Sequence, residues 1–396
     1  MDIYGLPSIG GLVFMKRSLP FQLIVVLLFS LFLGRYVPTV VKEVCYGLSL
    51  SIKELLVFVL PVIVFSYLFS CILGLRKGAL GFILTLLACI CLSGFTSNWI
   101  AYGFGNLLVH SFGLGSGNAV VPQGGLHPYW ILALPKWISN DFALLFSAAM
   151  GCFFAYFPHH RAEKVAQSLK GISDLFLGRF FIPIVPLFIL GFALKLQDDG
   201  ILFQLFKVYG PLFVLIAMVA GGYIGFLYAV AARFNFSRWI EYVKNALPSL
   251  IAGFSTMSSA ASMPMTIEGA EKNTGKSEAV RSIVPATVNV HLIGDSIAVP
   301  LMAFVILNSF GKVLPGMESY LTFSFYFILA KFAIAAVPGG GIIVMLPVLE
   351  RCLGFSTEML SLITALYIIF DPVITASNVF GNGAFAVLFT QFFYKK

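Results

Sequence analysis

Residues 365–387 read ALYIIFDPVITASNVFGNGAFAV, an apolar run that carries Asp371, Pro372, Thr375, Asn378, Gly381 and Asn382. A run of this length and apolarity reads as a transmembrane helix. An ionised carboxylate at bilayer depth costs about 2.5–3.5 kcal/mol on insertion scales, so a span that keeps one faces protein or a polar cavity. Asp371, Thr375, Asn378 and Asn382 are spaced by 4, 3 and 4 residues, and a helix gathers them on one stripe. Such a stripe is either one wall of a binding site or a polar seam between helices. The rest of the chain favours the first.

The 396 residues are 59% hydrophobic and 11% charged, with a mean hydropathy of +0.95. A soluble chain carries about 25% charge, so the composition predicts an all-α integral membrane protein embedded in a lipid bilayer. The length accommodates eight spans of about 20 residues plus irregular pieces. The apolar segments far exceed the ~10 residues of a barrel strand and do not alternate, which excludes a β-barrel. The net charge of +8 reflects basic loops rather than a nucleic-acid partner. The six cysteines lie in or beside apolar segments, without histidine company, and read as small apolar residues rather than disulfides or metal ligands. His159-His160 lacks a third ligand nearby and reads as solvated loop.

Six spans are expected before residue 235: Leu19–Val37, Ser49–Leu75, Ala79–Leu108, Ile138–Phe157, Leu175–Leu196 and Tyr209–Arg233. The first is read as retained, since no small-residue cleavage site follows it. A Gly-rich connection, Gly113–Pro135, leads to the fourth span, with Trp130 and Trp137 as interface aromatics. One side of the membrane collects Lys16, Arg17, Arg76, Lys77, Arg161, Lys164, Lys170, Arg233 and Arg238. The bias predicts a multi-pass protein of the cell (inner) membrane with both termini cytoplasmic.

After Arg238 the pattern breaks twice. Trp239–Phe254 is too short to cross and runs into the small, polar stretch Ser255–Pro264. Thr322–Ala336 is broken by Val337-Pro338-Gly339-Gly340-Gly341 and returns over Ile342–Leu353. Both read as re-entrant helical hairpins, because freed backbone at membrane depth is tolerated only against protein or a wet cavity. Spans Val280–Leu307 and Leu360–Phe393 follow them. This repeated arrangement divides the chain into a six-span region, 1–235, and a transport core, 236–396, with substrate near the midplane. Half-helix N-termini at the tips suit a carboxylate.

At these residues the chain resembles the glutamate/neutral amino acid transporter family, the dicarboxylate/amino acid:cation symporters. The run from Ser255 to Thr266 is similar to that family's first hairpin tip, Val337–Gly341 to its second, and Asn378-Val379-Phe380-Gly381-Asn382 to the Asn-Val-x-Gly-Asp of its last helix. The resemblance covers residues 236–393 in order and spacing, and implies an inverted-repeat elevator fold in a homotrimer. Spans one, two, four and five would form the scaffold. Spans three, six, seven and eight and both hairpins would move. It also implies that Asp371 holds a substrate amino group, with Thr375 and Asn378 facing the substrate. Ser258, Ser259, Gly339 and Gly340 would be the hairpin tips around it.

Departures from the family pattern set the remaining expectations. Where dicarboxylate members carry an arginine, this chain has Ile374 in the last helix and Met257 in the first hairpin. An apolar residue cannot pair a second carboxylate, so the expected substrate is a small neutral amino acid, with glutamate or aspartate as the alternative. The family's Asn-Met-Asp-Gly-Thr break falls on His291-Leu292-Ile293-Gly294-Asp295, and Asn382 replaces a second sodium-binding aspartate. Sodium coupling is therefore expected to be weakened. His291 or Asp295 would carry a proton instead, or a fixed Lys331 charge would replace a bound cation. The plainer alternatives are a hydrogen-bonded His291 in a packed helix and a Lys331 that snorkels to the interface. No resident cofactor is expected, only Na⁺ or H⁺ as coupling ion.

Asp295 and Asp371 both lie in spans, which raises an intramembrane aspartyl protease, whose chemistry needs two carboxylates sharing a proton. The flanking residues match neither of that class's motifs. A channel lacks its acidic ring or carbonyl filter, and no phosphate loop supports an ATP-driven pump. The chain is read as a transporter and not an enzyme.

Overall fold

The computed structural model describes residues 19–74, 80–113, 126–135, 137–138, 140–157, 159–198, 202–334 and 340–393. The described residues form fourteen α-helices and no strand. In chain order these are α1 Leu19–Phe32, α2 Thr39–Gly74, α3 Leu80–Phe112, α4 Asn140–Tyr156, α5 His160–Leu175, α6 Ile182–Asp198 and α7 Leu202–Ala231. There follow α8 Phe236–Thr256, α9 Ser259–Thr274, α10 Ser277–Thr287, α11 Ile293–Ser309, α12 Met317–Lys331, α13 Gly340–Leu353 and α14 Thr357–Phe393. A π-helical turn, Phe176–Phe181, leads into α6.

Among the described residues, three helical segments are long and apolar enough to cross a membrane, over Leu84–His110, Tyr209–Ala231 and Thr357–Phe393. Phe58–Ser70, Leu145–Tyr156, Pro186–Lys195 and Ile293–Ser309 are shorter apolar helices. His159-His160-Arg161, read as solvated loop, instead opens the polar helix α5.

The chain forms two compact units, each discontinuous in sequence. The smaller comprises residues 1–58, 122–135 and 175–206. The larger comprises 59–121, 136–174 and 207–396. Neither follows the contiguous division at 235 drawn from the sequence.

In the smaller unit, α1 and the first half of α2 pack with α6. Gly191 lies so close to the Cys45 carbonyl that a Cβ would collide with it. Ser49 Oγ donates to the Leu187 carbonyl at 3.3 Å. Lys42 Nζ, largely buried, pairs with Asp198 at 2.7 Å.

The larger unit is built around α14. Of its most apolar window, 83% is buried inside the protein, against 33% for α3 and 28% for α7. A polar stripe can therefore face neighbouring helices instead of lipid, as intramembrane polar groups require. α8 and α9 form the first helical pair. The Asn235 side chain caps α8 on the Arg238 N–H at 3.0 Å. α8 ends at Met257, whose φ of 50° places it in the left-handed region. Ser258 Oγ then caps α9 on the Ala261 N–H at 3.2 Å. The arms are fastened far from this turn, where Asn245 Nδ2 donates to Asn273 Oδ1 at 2.8 Å. The serine-rich sequence thus turns the chain and satisfies the orphan N–H groups of a new helix start.

α10 and α11 are one span interrupted at residues 288–292. α11 is buried along almost its whole length. α12 is pinned to α3 by Tyr320 Oη donating to the Asn98 carbonyl at 2.8 Å and Ser324 Oγ to Asn98 Oδ1 at 2.7 Å. α7 is tied to α11 through Tyr209 and Ser309, at 3.1 Å, and to α14 through Tyr228 and the Phe380 carbonyl, at 3.2 Å.

Candidate functional site

Where the α8–α9 turn, the α10–α11 break, the start of α13 and the middle of α14 converge, they enclose a cavity of about 30 Å³. α14 contributes Tyr367, Asp371, Thr375 and Asn378 to its wall. Asn289, Leu292 and Asp295 come from the break, Met257 and Ser259 from the first turn, and Ile334 and Gly341 from either side of the second. Among the described residues, its wall contains two carboxylates and no lysine or arginine.

Each carboxylate has partners of its own. Thr375 Oγ1 donates to Asp371 Oδ1 at 2.8 Å, one helical turn along α14. Tyr367 Oη donates to Asp295 Oδ1 at 2.6 Å, and Asn378 Nδ2 donates to Asp295 Oδ2 at 2.6 Å. The Asp295 N–H donates to Asn378 Oδ1 at 3.3 Å. Asp295 sits in the first turn of α11, where the helix dipole favours negative charge. Asn289 Oδ1 is buried with no hydrogen-bond partner among the described residues, an acceptor in the wall ready for an incoming donor.

Two glycines make the packing possible. A Cβ at Gly294 would strike the Ile374 carbonyl, so α11 begins against the backbone of α14. A Cβ at Gly341 would strike the Tyr367 hydroxyl and Asp295 Oδ1, so the start of α13 lies directly over that hydrogen-bonded pair.

Four of the eight expected substrate residues gather here. Asp371, Thr375, Asn378 and Ser259 line the cavity. Gly340 opens α13, and Gly339 lies outside the described residues. Ser258 is the α9 cap and is not in the wall. Ile374 differs from expectation: it is fully buried, at 0% exposure, and outside the lining. Its backbone carbonyl meets Gly294 of α11. Met257 does face the cavity.

Of the expected coupling residues, only Asp295 is in the wall. Asn382 ends the stripe away from it, accepting from Thr287 Oγ1 at 2.7 Å, with its Nδ2 unpartnered. His291 is buried, its Nε2 2.9 Å from Ser93 Oγ and its ring 4.2 Å from that of Phe385. Lys331 does not snorkel. It is 2% exposed and donates to Ser296 Oγ at 2.7 Å, because the α3 backbone at Gly94 leaves room for its ammonium. Sequence reasoning missed Tyr367, Asn289 and Ser296. Tyr367 was within reach, since it lies four residues before Asp371 and extends the stripe by one turn.

A buried central helix and a small polar cavity, lined by one carboxylate at a helix start and another in the middle of α14, fit a membrane transporter. Comparison with known proteins agrees: the model of the sodium:dicarboxylate symporter family matches residues 19–392, and the chain belongs to that family. It is 26% identical to human excitatory amino acid transporter 2 over 196 residues, 49% of this chain and 33% of that protein. It is likewise 26% identical to an uncharacterized symporter of Haemophilus influenzae over 228 residues, 56% of this chain and 50% of the other. Rat excitatory amino acid transporter 1 matches at 26% over 209 residues, 51% of this chain and 37% of that protein. The matches thus span between a third and a half of these relatives' length. The family and these relatives are transporters and symporters, not enzymes.

Proposed function

We propose that the protein is a secondary transporter of small neutral amino acids. The observation that carries this reading is a cavity wall with Asp295 and Asp371 but, among the described residues, no cationic side chain. A dicarboxylate entering it would bring two negative charges toward two more, a like-charge mismatch that a desolvated site does not tolerate. A neutral amino acid brings one ammonium for Asp371. Its carboxylate goes to the N–H groups where helices start, at Ser259 of α9 and near Gly340 and Gly341 of α13. Asn289 Oδ1 and Thr375 are placed for further polar contacts, and Met257, Leu292 and Ile334 limit the side chain to a small one.

The names of the excitatory amino acid transporters support an amino acid as substrate. The eight-span arrangement, the two re-entrant hairpins, the elevator motion and the homotrimer go with the same reading, as does residence in the cell membrane with cytoplasmic termini. The coupling ion is set apart from the family's sodium by Ile293, Asn382 and Lys331.

The test is uptake of labelled alanine, serine, threonine, aspartate, glutamate and succinate into proteoliposomes. Uptake of the neutral amino acids, unaffected by excess succinate, supports the reading. Uptake confined to the dicarboxylates refutes it.

A further inference from the structure

Lys331 ends α12 inside the protein, with its ammonium buried among α3, α11 and the α10–α11 break. A buried cation is costly unless hydrogen-bonded and compensated. Here Nζ donates to Ser296 Oγ at 2.7 Å. The residue before Ser296 is Asp295, a carboxylate buried in the same turn of α11. His291, on the break, is held by Ser93 of α3, next to Gly94. Gly94, between Ser93 and the rest of α3, provides the space: a Cβ there would come to 3.0 Å from Nζ.

We propose that the Lys331 ammonium is a resident cation of the transport core, a fixed charge that compensates Asp295 so that substrate binding requires no Na⁺. An ammonium and a sodium ion are both compact monovalent cations that attract oxygen. The lysine differs in being tethered, so it cannot leave on either side of the membrane. An ion that never dissociates contributes no linkage between its concentration and the binding of another ligand. This chain thus retains the electrostatics of a cation-loaded core without the gradient that loads it. The proposal deepens the neutral amino acid reading and rests on it only for the transport measurement below.

Two measurements on the full chain test it. The first is the unfolding temperature of the purified protein in a sodium series balanced with choline. It needs no substrate. The wild type is expected to be flat across the series, and Lys331→Ser, which frees space and offers an oxygen, to rise saturably with Na⁺. The second is uptake of labelled alanine, serine and threonine with Na⁺ or choline on both sides. The wild type is expected to be equal in the two salts within about twofold, and Lys331→Ser to fall at least about tenfold in choline.

A wild-type midpoint or uptake that climbs with Na⁺ overturns the proposal. So does a Lys331→Ser protein that transports in choline like the wild type. Wild-type uptake that follows an imposed proton gradient also overturns it, since the charge is then mobile. Should Lys331→Ser fail to fold, the wild-type series decides. In addition, Asp295→Asn/Lys331→Met, which removes both charges, is expected to unfold at a higher temperature than Lys331→Met alone; equal losses overturn the pairing. If no labelled amino acid enters in any salt, the substrate reading fails while the unfolding series still reports on Lys331.

Discussion

Asn378 holds Asp295 from two directions, its Nδ2 donating to the carboxylate at 2.6 Å and its Oδ1 accepting from the Asp295 N–H at 3.3 Å. One amide therefore fixes both the side chain and the backbone of the residue that opens the second half of a broken span. Replacing it leaves a buried carboxylate and a buried N–H short of partners. Asn378→Ala is expected to destabilise the protein by about 1–3 kcal/mol. Asn378→Asp is expected to cost more, because it sets a second carboxylate against the first. Thermal unfolding in detergent without substrate checks both, and an unfolding temperature unchanged in Asn378→Ala contradicts the account.

Asp371 is expected to matter to transport rather than to folding. Asp371→Asn keeps an oxygen for the Thr375 hydroxyl and removes the charge that would meet the substrate's ammonium. Uptake of neutral amino acids should fall by about 30-fold or more, the lower end of losses on truncating a buried charge pair. The unfolding temperature should stay close to that of the wild type. Retained uptake at the wild-type rate would mean that the ammonium binds elsewhere.

Met257 offers a way to reverse selectivity. It faces the cavity from a left-handed turn, and arginine there would add the cation that the wall lacks. In Met257→Arg, glutamate and aspartate are expected to compete with labelled alanine at concentrations about tenfold lower than in the wild type, if not more. The same competition curve for both proteins would show that position 257 does not select against acidic side chains.

Gly341 tests how closely the start of α13 must approach. A methyl group there meets the Tyr367 hydroxyl and Asp295. Gly341→Ala is expected to cost about 1–3 kcal/mol of stability, as overpacking does, and to lower uptake. Adding Tyr367→Phe should recover part of the stability by removing the struck hydroxyl. Gly294→Ala should be harder to relieve, since the obstacle is the backbone carbonyl of Ile374. Calorimetry of the single and double variants gives the coupling directly.

The stripe on α14 could be read from spacing alone because one helix fixes the relative directions of its residues. Asp371, Thr375 and Asn378 accordingly reach the same cavity. What spacing could not give is what faces them. Asn382 continues the stripe but meets Thr287, and its place outside the cavity depends on where α10 ends. Ile374 stood three residues from Asp371 and was assigned to the pocket, whereas the close approach at Gly294 turns it into the contact with α11. Lys331 is the clearest case. A lysine at the end of an apolar arm ordinarily reaches for water, and only the glycine of another helix, 237 positions earlier (331 − 94), makes room for it inside. The helix breaks were legible because Ser, Gly and Pro runs carry a local signal. Burial of a charge is a tertiary property and carries none.

The smaller unit takes its parts from both sides of a long excursion. Lys42 meets Asp198 across 156 positions, and Gly191 packs against Cys45. During synthesis, α1 and the first half of α2 must enter the bilayer well before α6 exists. Lys42 then spends that interval without Asp198, its partner in the folded unit. Contacts so distant along the chain also make closure slow. The order of assembly is therefore set by topology: the larger unit's first helices are made before the smaller unit can close. A chain truncated before residue 182 would be expected to leave α1 and α2 in the membrane as orphans for quality-control proteases.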